Sequence, residues 1–151
     1  MEIRQISSNP WDYLPLLLLG DEQEDMIARY LERGTLYIYE ENGETLAVCV
    51  VLRTSPHVVE VKNLAVAPAR QRCGIGRKLL LAVCGMYADD AVELGTGEVP
   101  GTLAFYRACG FHPVRRVRNF FTEHYDHPIQ EEGVLLRDMI YLRREADTNG
   151  K

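Results

Sequence analysis

Residues 64–79 read Leu-Ala-Val-Ala-Pro-Ala-Arg-Gln-Arg-Cys-Gly-Ile-Gly-Arg-Lys-Leu, and no other stretch of the chain constrains its fold as much. Just before it, residues 57–66 are rich in β-branched side chains and are stopped by Pro68, as a strand would be. Just after it, Ile75, Leu79, Ala82, Val83 and Met86 recur at helical spacing from Gly74 onward. A strand, a glycine loop and a helix therefore follow one another directly. Glycines at the mouth of a helix let the backbone approach an anion, and the free N–H groups and positive dipole end hold a phosphate there. Arg70, Arg72, Arg77 and Lys78 add to that field. Two familiar phosphate loops are excluded. No Gly-Lys-Ser/Thr follows the spacer, and Leu79 stands where a dinucleotide fingerprint needs a third small residue.

The remaining elements are read around this unit. Residues Glu2–Ile6 alternate as a strand, and Asn9 followed by Pro10 predicts a capped helix over 10–19 ended by Gly20. Met26, Ile27, Tyr30 and Leu31 predict a second helix behind the acidic cluster 21–25, closed by Gly34. Segments 35–40 and 45–53 flank Asn42-Gly43, a strong hairpin signal. Residues 91–94 predict a brief strand, 102–109 a short helix ended by Gly110, and 111–121 and 134–143 two final strands. This order predicts an α+β (mixed α/β) fold, a central sheet of about six to seven strands with about four helices packed on it.

With 151 residues and neither a repeat nor a linker, the expectation is one domain over 1–151, with 146–151 as a flexible tail. A net charge of -5 speaks against a nucleic-acid partner and leaves cationic small molecules open. Cys49, Cys73, Cys84 and Cys109 show no metal-ligand spacing, so they are expected to be reduced thiols without metal. There is no secretory pattern at the start, and the leucine run 16–19 is too short to span a membrane. A cytoplasmic protein that does not enter membranes is expected.

The loop resembles the coenzyme A signature of the GNAT superfamily of N-acetyltransferases, [QR]-x-x-G-x-[GA], met here by Gln71-Arg72-Cys73-Gly74-Ile75-Gly76. A second landmark of that family is matched by Phe105-Tyr106-Arg107-Ala108-Cys109-Gly110-Phe111. The resemblance extends from Ile3 to about Tyr141 in element order. It implies an enzyme that uses acetyl-CoA, without metal, to acetylate a primary amine of a small molecule or peptide directly. It also implies that the backbone of Leu64, Ala65 and Val66 binds the pantetheine arm and thioester. The N–H groups of Gln71, Arg72, Cys73, Gly74, Ile75, Gly76 and Arg77 would take the pyrophosphate. One departure stands out. Many members carry an asparagine before the short helix, where this chain reads Thr96-Gly97-Glu98-Val99-Pro100. A non-catalytic acyl-CoA-binding or regulatory module therefore stays open as the alternative, as does a homodimer. Gly74 and Gly76 could also serve tight packing alone.

For catalysis, strand parity puts Glu60, Lys62, Leu64 and Val66 on one face, which makes Glu60 a candidate base. Four residues of strand span about 13 Å, so its proton would travel through water. A glutamate facing an alkylammonium is about 6 pKa units, or about 8 kcal/mol, short of taking the proton outright. The competing reading is a strand carboxylate paired with Lys62 or a neighbouring strand. Tyr106 matches the position of the family's general acid, which the resemblance places at the departing sulfur; a core tyrosine is the alternative. No pairing beside Cys73 or Cys109 marks a nucleophile. The acceptor is expected at the connection 122–133, whose Glu123, Asp126, Glu131 and Glu132 form an acidic rim for a cationic amine. His124 and His127 lack metal geometry, and Trp11, Tyr30 and Tyr37 could line the pocket or the core.

Overall fold

The computed structural model describes residues 2–147, so most of the expected tail, 148–151, lies outside the described residues. Seven strands form one mixed sheet: β1 (Glu2–Ile6), β2 (Thr35–Glu41), β3 (Glu44–Ser55), β4 (Val58–Val66), β5 (Ala91–Gly97), β6 (His112–Val117) and β9 (Met139–Arg144). Their order is β1-β2-β3-β4-β5-β9-β6. A separate short hairpin joins β7 (Gln130–Glu131) to β8 (Val134–Leu135). The helices are α1 (Leu14–Gly20), α2 (Glu24–Ile27), α3 (Ile75–Met86), α4 (Pro100–Ala108) and α5 (Phe120–His124).

Among the described residues only β4 and β5 pair in parallel. Parallel neighbours need a crossover, and α3 supplies it, burying Ile75, Leu79, Leu80, Val83 and Cys84. On that face they pack with Tyr37, Cys49, Val51, Val59, Val61, Val92 and Leu94. The opposite face carries α1 and α2, where Leu17, Ile27, Tyr30 and Leu31 cover Ile38, Val48, Val50 and Ala65. A third, smaller cluster of Val99, Phe121, Ile129 and Leu136 lies around α5.

Several local expectations are corrected. The segment after Asn9 opens as a 3-10 turn at Pro10–Tyr13 before α1, and Asn9 is left-handed (φ 53°) with no capping bond from its side chain. The second helix is a single turn, α2, because tight turns carry the chain from Ala28 to Gly34. The strand expected over 111–121 stops at Val117, and a fifth helix follows. Its aromatic side chains read as strand formers, but tertiary contacts take them: the Phe121 N–H donates to the Arg137 carbonyl at 2.9 Å and the Asn119 N–H to Asp138 Oδ1 at 2.9 Å.

The consequential irregularity lies in β4. Its register against β3 shifts between Val61↔Val51 and Asn63↔Val50, so Lys62 is an extra residue in the ladder. The bulge inverts the parity of everything after it. Val59 and Val61 face α3, and so do Leu64 and Val66, while Ala65 faces α1. Glu60 therefore does not share a face with Leu64 and Val66, contrary to the simple alternation expected from sequence.

Asn63 turns under α1, where its Nδ2 donates to the Leu17 carbonyl (2.9 Å) and to the Tyr30 hydroxyl (3.0 Å). Gly20 makes room for it, since a Cβ there would lie 2.2 Å from Asn63 Oδ1. A Gly20→Ala variant is expected to expel the Asn63 amide and lose about 2 to 4 kcal/mol of stability, read by denaturant unfolding. An unchanged midpoint would show that the Asn63 contact contributes nothing.

Candidate active site

Three features follow from the carboxyl ends of the parallel strands β4 and β5. The first is the loop between β4 and α3. Pro68–Arg70 form a 3-10 turn, and the Gln71 Nε2 donates to the Val66 carbonyl at 3.0 Å, tying the loop to the strand end. Arg72 and Gly74 both take left-handed backbone (φ 66° and 82°), which folds the chain into a concavity of N–H groups. Gly74 is required for conformation and not for packing, because a Cβ there would meet nothing within 4 Å. Gly76 is a packing glycine, its absent Cβ 3.2 Å from Val66 Cγ2. The first bond of α3 runs from the Lys78 N–H to the Gly74 carbonyl (3.0 Å), so the N–H groups of Ile75, Gly76 and Arg77 stay free at the helix mouth. Arg70 is held by Glu41 at 2.8 Å; no carboxylate pairs with Arg72, Arg77 or Lys78 among the described residues. Cys73 is exposed between them.

The second feature is the splay. Pairing of β4 with β5 ends at Val61↔Leu94, although β4 continues to Val66 and β5 to Gly97. The backbone of Leu64, Ala65 and Val66 thus has β3 on one side and an open edge on the other.

The third is Tyr106 on α4, which follows β5 directly. Gly110, at φ 93°, ends that helix, and the Cys109 and Phe111 N–H groups both donate to the Tyr106 carbonyl at 3.0 Å. The half-buried ring makes edge contacts with Phe105 and Phe111 at 5.1 and 6.0 Å between centroids. Burial, reinforced by nearby Cys49, Glu131 and Cys109, raises its phenol above the ordinary tyrosine range, so it stays protonated. Burial likewise raises the Cys109 thiol, which leaves it a poor nucleophile.

On the α1–α2 side of the splay opens a cavity of about 640 Å³. Its walls include Glu60, Lys62, Gly95, Gly97, Tyr125 and Glu131. Gly95 and Gly97 clear its floor, since Cβ atoms there would collide with Met139 and Leu136. Glu60 is in the cavity, and Lys62 Nζ donates to its Oε2 at 3.1 Å. Only two of the four expected rim acids, Glu131 and Glu132, line the cavity; Glu123 and Asp126 do not, and Arg29, Arg33 and Lys62 add positive charge to the walls. The rim is built by a two-residue turn, Glu132-Gly133, with positive φ at both positions (50° and 80°), which folds β7 onto β8. Glu131 is exposed at the rim, with its carboxyl partly enclosed by the cavity walls. Those walls, together with Glu132 and Glu22, hold its carboxyl above the usual range.

Of the aromatic candidates, Tyr30 reaches the cavity, whereas Tyr37 is in the core with its hydroxyl 2.8 Å from that of Tyr87, and Trp11 donates to Glu32 at 2.8 Å. Sequence reasoning missed Asp21. Its two oxygens accept from Tyr125 (2.7 Å) and Tyr30 (3.1 Å), and burial raises its carboxyl against the opposing effect of those bonds. Asp21 and Tyr125 are far apart in sequence, so no local pattern could join them.

Comparison with known proteins agrees with this geometry. A GNAT acetyltransferase domain family matches residues 32–113. The chain is 38% identical over 131 residues to YvbK of Bacillus subtilis strain 168, an uncharacterized N-acetyltransferase, covering 84% of each protein. Among solved structures, a B. subtilis acetyltransferase in complex with CoA superposes with a TM-score of 0.87 at 35% identity, over 95% of this chain and 97% of the other. An IAA acetyltransferase from Bacillus cereus gives 0.85 at 37% identity, over 95% and 98%. A GNAT acetyltransferase from Elizabethkingia anophelis with acetyl-CoA bound gives 0.86 at 34%, over 95% and 97%. The glycine loop at a helix mouth, the parted parallel strands and these relatives together place the chain in the GNAT family of acetyltransferases.

Proposed function

We propose that this protein takes the acetyl group of acetyl-CoA and transfers it directly to a primary amine held in the cavity beside β4 and β5. One observation carries the reading: β4 and β5 part after Val61↔Leu94, the anion loop follows the end of β4, the helix of Tyr106 follows the end of β5, and a cavity lined by Glu60, Lys62, Gly95 and Gly97 opens beside them. The free N–H groups of the Gln71–Arg77 loop, with Arg72 and Arg77, bind the pyrophosphate. The open edge of Leu64, Ala65 and Val66 aligns the pantetheine arm. Tyr106 donates a hydrogen bond to the sulfur as negative charge develops there. Because its phenol is raised, outright proton transfer to a thiolate of pKa near 8.5 is uphill by more than about 1.5 units, so hydrogen-bond donation is its main contribution. Glu60 relays the amine proton through cavity water, with Lys62 as its counter-ion. A relative solved with CoA, 35% identical, and one solved with acetyl-CoA, 34% identical, support the choice of donor.

Binding is testable without knowing the acceptor. Coenzyme A at 100 times its dissociation constant should add about 2.7 kcal/mol of stability, which for a domain of this size moves Tm by about 5 to 10 °C. A flat melting curve at millimolar coenzyme A would sink the donor assignment. Turnover is then read as thiol release from acetyl-CoA across polyamines, aminoglycosides, amino acids and peptide amino termini. Binding without release on any of them would favour a non-catalytic acyl-CoA module.

The acid wall sets a second expectation. Glu131 and Glu132 attract a cationic amine over about a Debye length, about 8 Å at physiological salt. Changing both to Gln should raise the acceptor KM and flatten its salt dependence while kcat and acetyl-CoA affinity hold. Neutralising Glu123 and Asp126, which lie off the cavity, should leave all of these unchanged. Equal effects from the two pairs would mean that only the net charge of the surface matters.

A further inference from the structure

Of the 17 cationic side chains in this protein, only three are lysines: Lys62, Lys78 and Lys151. A guanidinium stays protonated and does not accept acyl groups, whereas a lysine becomes a nucleophile once it loses a proton. Lys78 lies on α3 beside the anion loop. Lys62 lies elsewhere, as the first residue of β4 beyond its last pair with β5 and as the extra residue of the bulge. Its side chain lines the cavity with Gly95 and Gly97, is 27% exposed, donates to Glu60 at 3.1 Å and holds its Nζ 5.8 Å from the centroid of the Tyr30 ring. A primary alkylammonium, bonded to a carboxylate and faced by an aromatic ring, thus already stands in the space an acceptor amine must enter.

We propose that Lys62 is itself an acetylation site, taking the acetyl group in cis from bound acetyl-CoA when no free amine fills the cavity. This rests on the acetyl-CoA reading of the site. One Nζ proton passes to Glu60 and on to water. The freed lone pair attacks the thioester carbonyl, the N–C bond forms, and the C–S bond breaks with its electron pair leaving on sulfur. A second Nζ proton ends on that sulfur as free thiol, and the third remains on the amide nitrogen. The amide nitrogen formed is no longer nucleophilic, so the reaction stops at one acetyl group. The product has lost the charge facing Glu60 and Tyr30, and its acetamide occupies part of the acceptor cavity.

The test is to incubate the full chain with acetyl-CoA and no amine, with peptide mass mapping before and after and coenzyme A melting shifts on the same sample. The expected result is one acetyl group on Lys62, formed at a rate independent of protein concentration, suppressed by excess coenzyme A and absent from Lys62→Arg. Lys78 should stay at least about 10-fold less modified, since its amine lies outside the cavity. Equal labelling of Lys62 and Lys78, or the same labelling of heat-denatured chain, would overturn the proposal as ordinary chemical acetylation. No acetyl on Lys62 in a chain that shows the melting shift overturns it while leaving the donor reading intact; no shift and no acetyl removes both.

Discussion

A Gly74→Asp variant is expected to fold and to lose coenzyme A affinity by about 10³-fold, because a carboxylate about 4 Å from a phosphate charge costs about 4 kcal/mol at an effective dielectric near 20. The fold should survive, since a Cβ at Gly74 meets nothing within 4 Å and the only local cost is a side chain at φ 82°. That cost is about 1 to 2 kcal/mol for left-handed backbone. Gly74→Ala separates the two effects: it carries the backbone strain without the charge, so its Tm should fall about as far while its affinity falls much less. Isothermal calorimetry with coenzyme A and a melting curve for each variant are sufficient. Near-normal affinity in Gly74→Asp would move the pyrophosphate away from the mouth of α3.

The second large effect is expected at Tyr106. Replacing it by Phe keeps the ring and its edge contacts with Phe105 and Phe111, and removes only the hydroxyl. Turnover should fall about 10²-fold, with coenzyme A affinity and Tm close to wild type, because the lost hydrogen bond matters only while charge develops on sulfur. Since burial raises the phenol, the wild-type rate should show no loss from Tyr106 ionisation as pH rises through the ordinary tyrosine range near 10. Full activity in Tyr106→Phe would return this side chain to a packing role.

How far the site was legible depended on whether its parts are local. The glycine loop is local: Pro68 ends a strand, glycines open a helix, and arginines sit between them, so residues 64–79 disclosed the strand, the loop and the helix directly. The short helix that carries Tyr106 was legible for the same reason, because Gly110 ends it four residues after that tyrosine. Glu60 was assigned to a face that it does not occupy. Alternation assigned it to the face of Leu64 and Val66, and the bulge at Lys62 turned it to the cavity side instead. A bulge is decided by how β4 meets β3, and neither strand announces it alone. Composition grouped Glu123, Asp126, Glu131 and Glu132, but the turn at Glu132-Gly133 brings only Glu131 and Glu132 of these to the cavity.

The sequence by itself therefore determined the elements whose signals are periodic or punctuated: the hairpin at Asn42-Gly43, the amphipathic α3, the glycine loop and the short helix carrying Tyr106. Periodicity and turn chemistry act within a few residues, so they can be read without knowing what the segment packs against. Tertiary structure alone decided the parting of β4 from β5 after Val61, the helical fate of Phe120–His124, and the meeting of Asp21, Tyr30, Lys62 and Tyr125 around one cavity. Those features join residues from both ends of the chain, and the contacts that favour them do not exist until the sheet has formed.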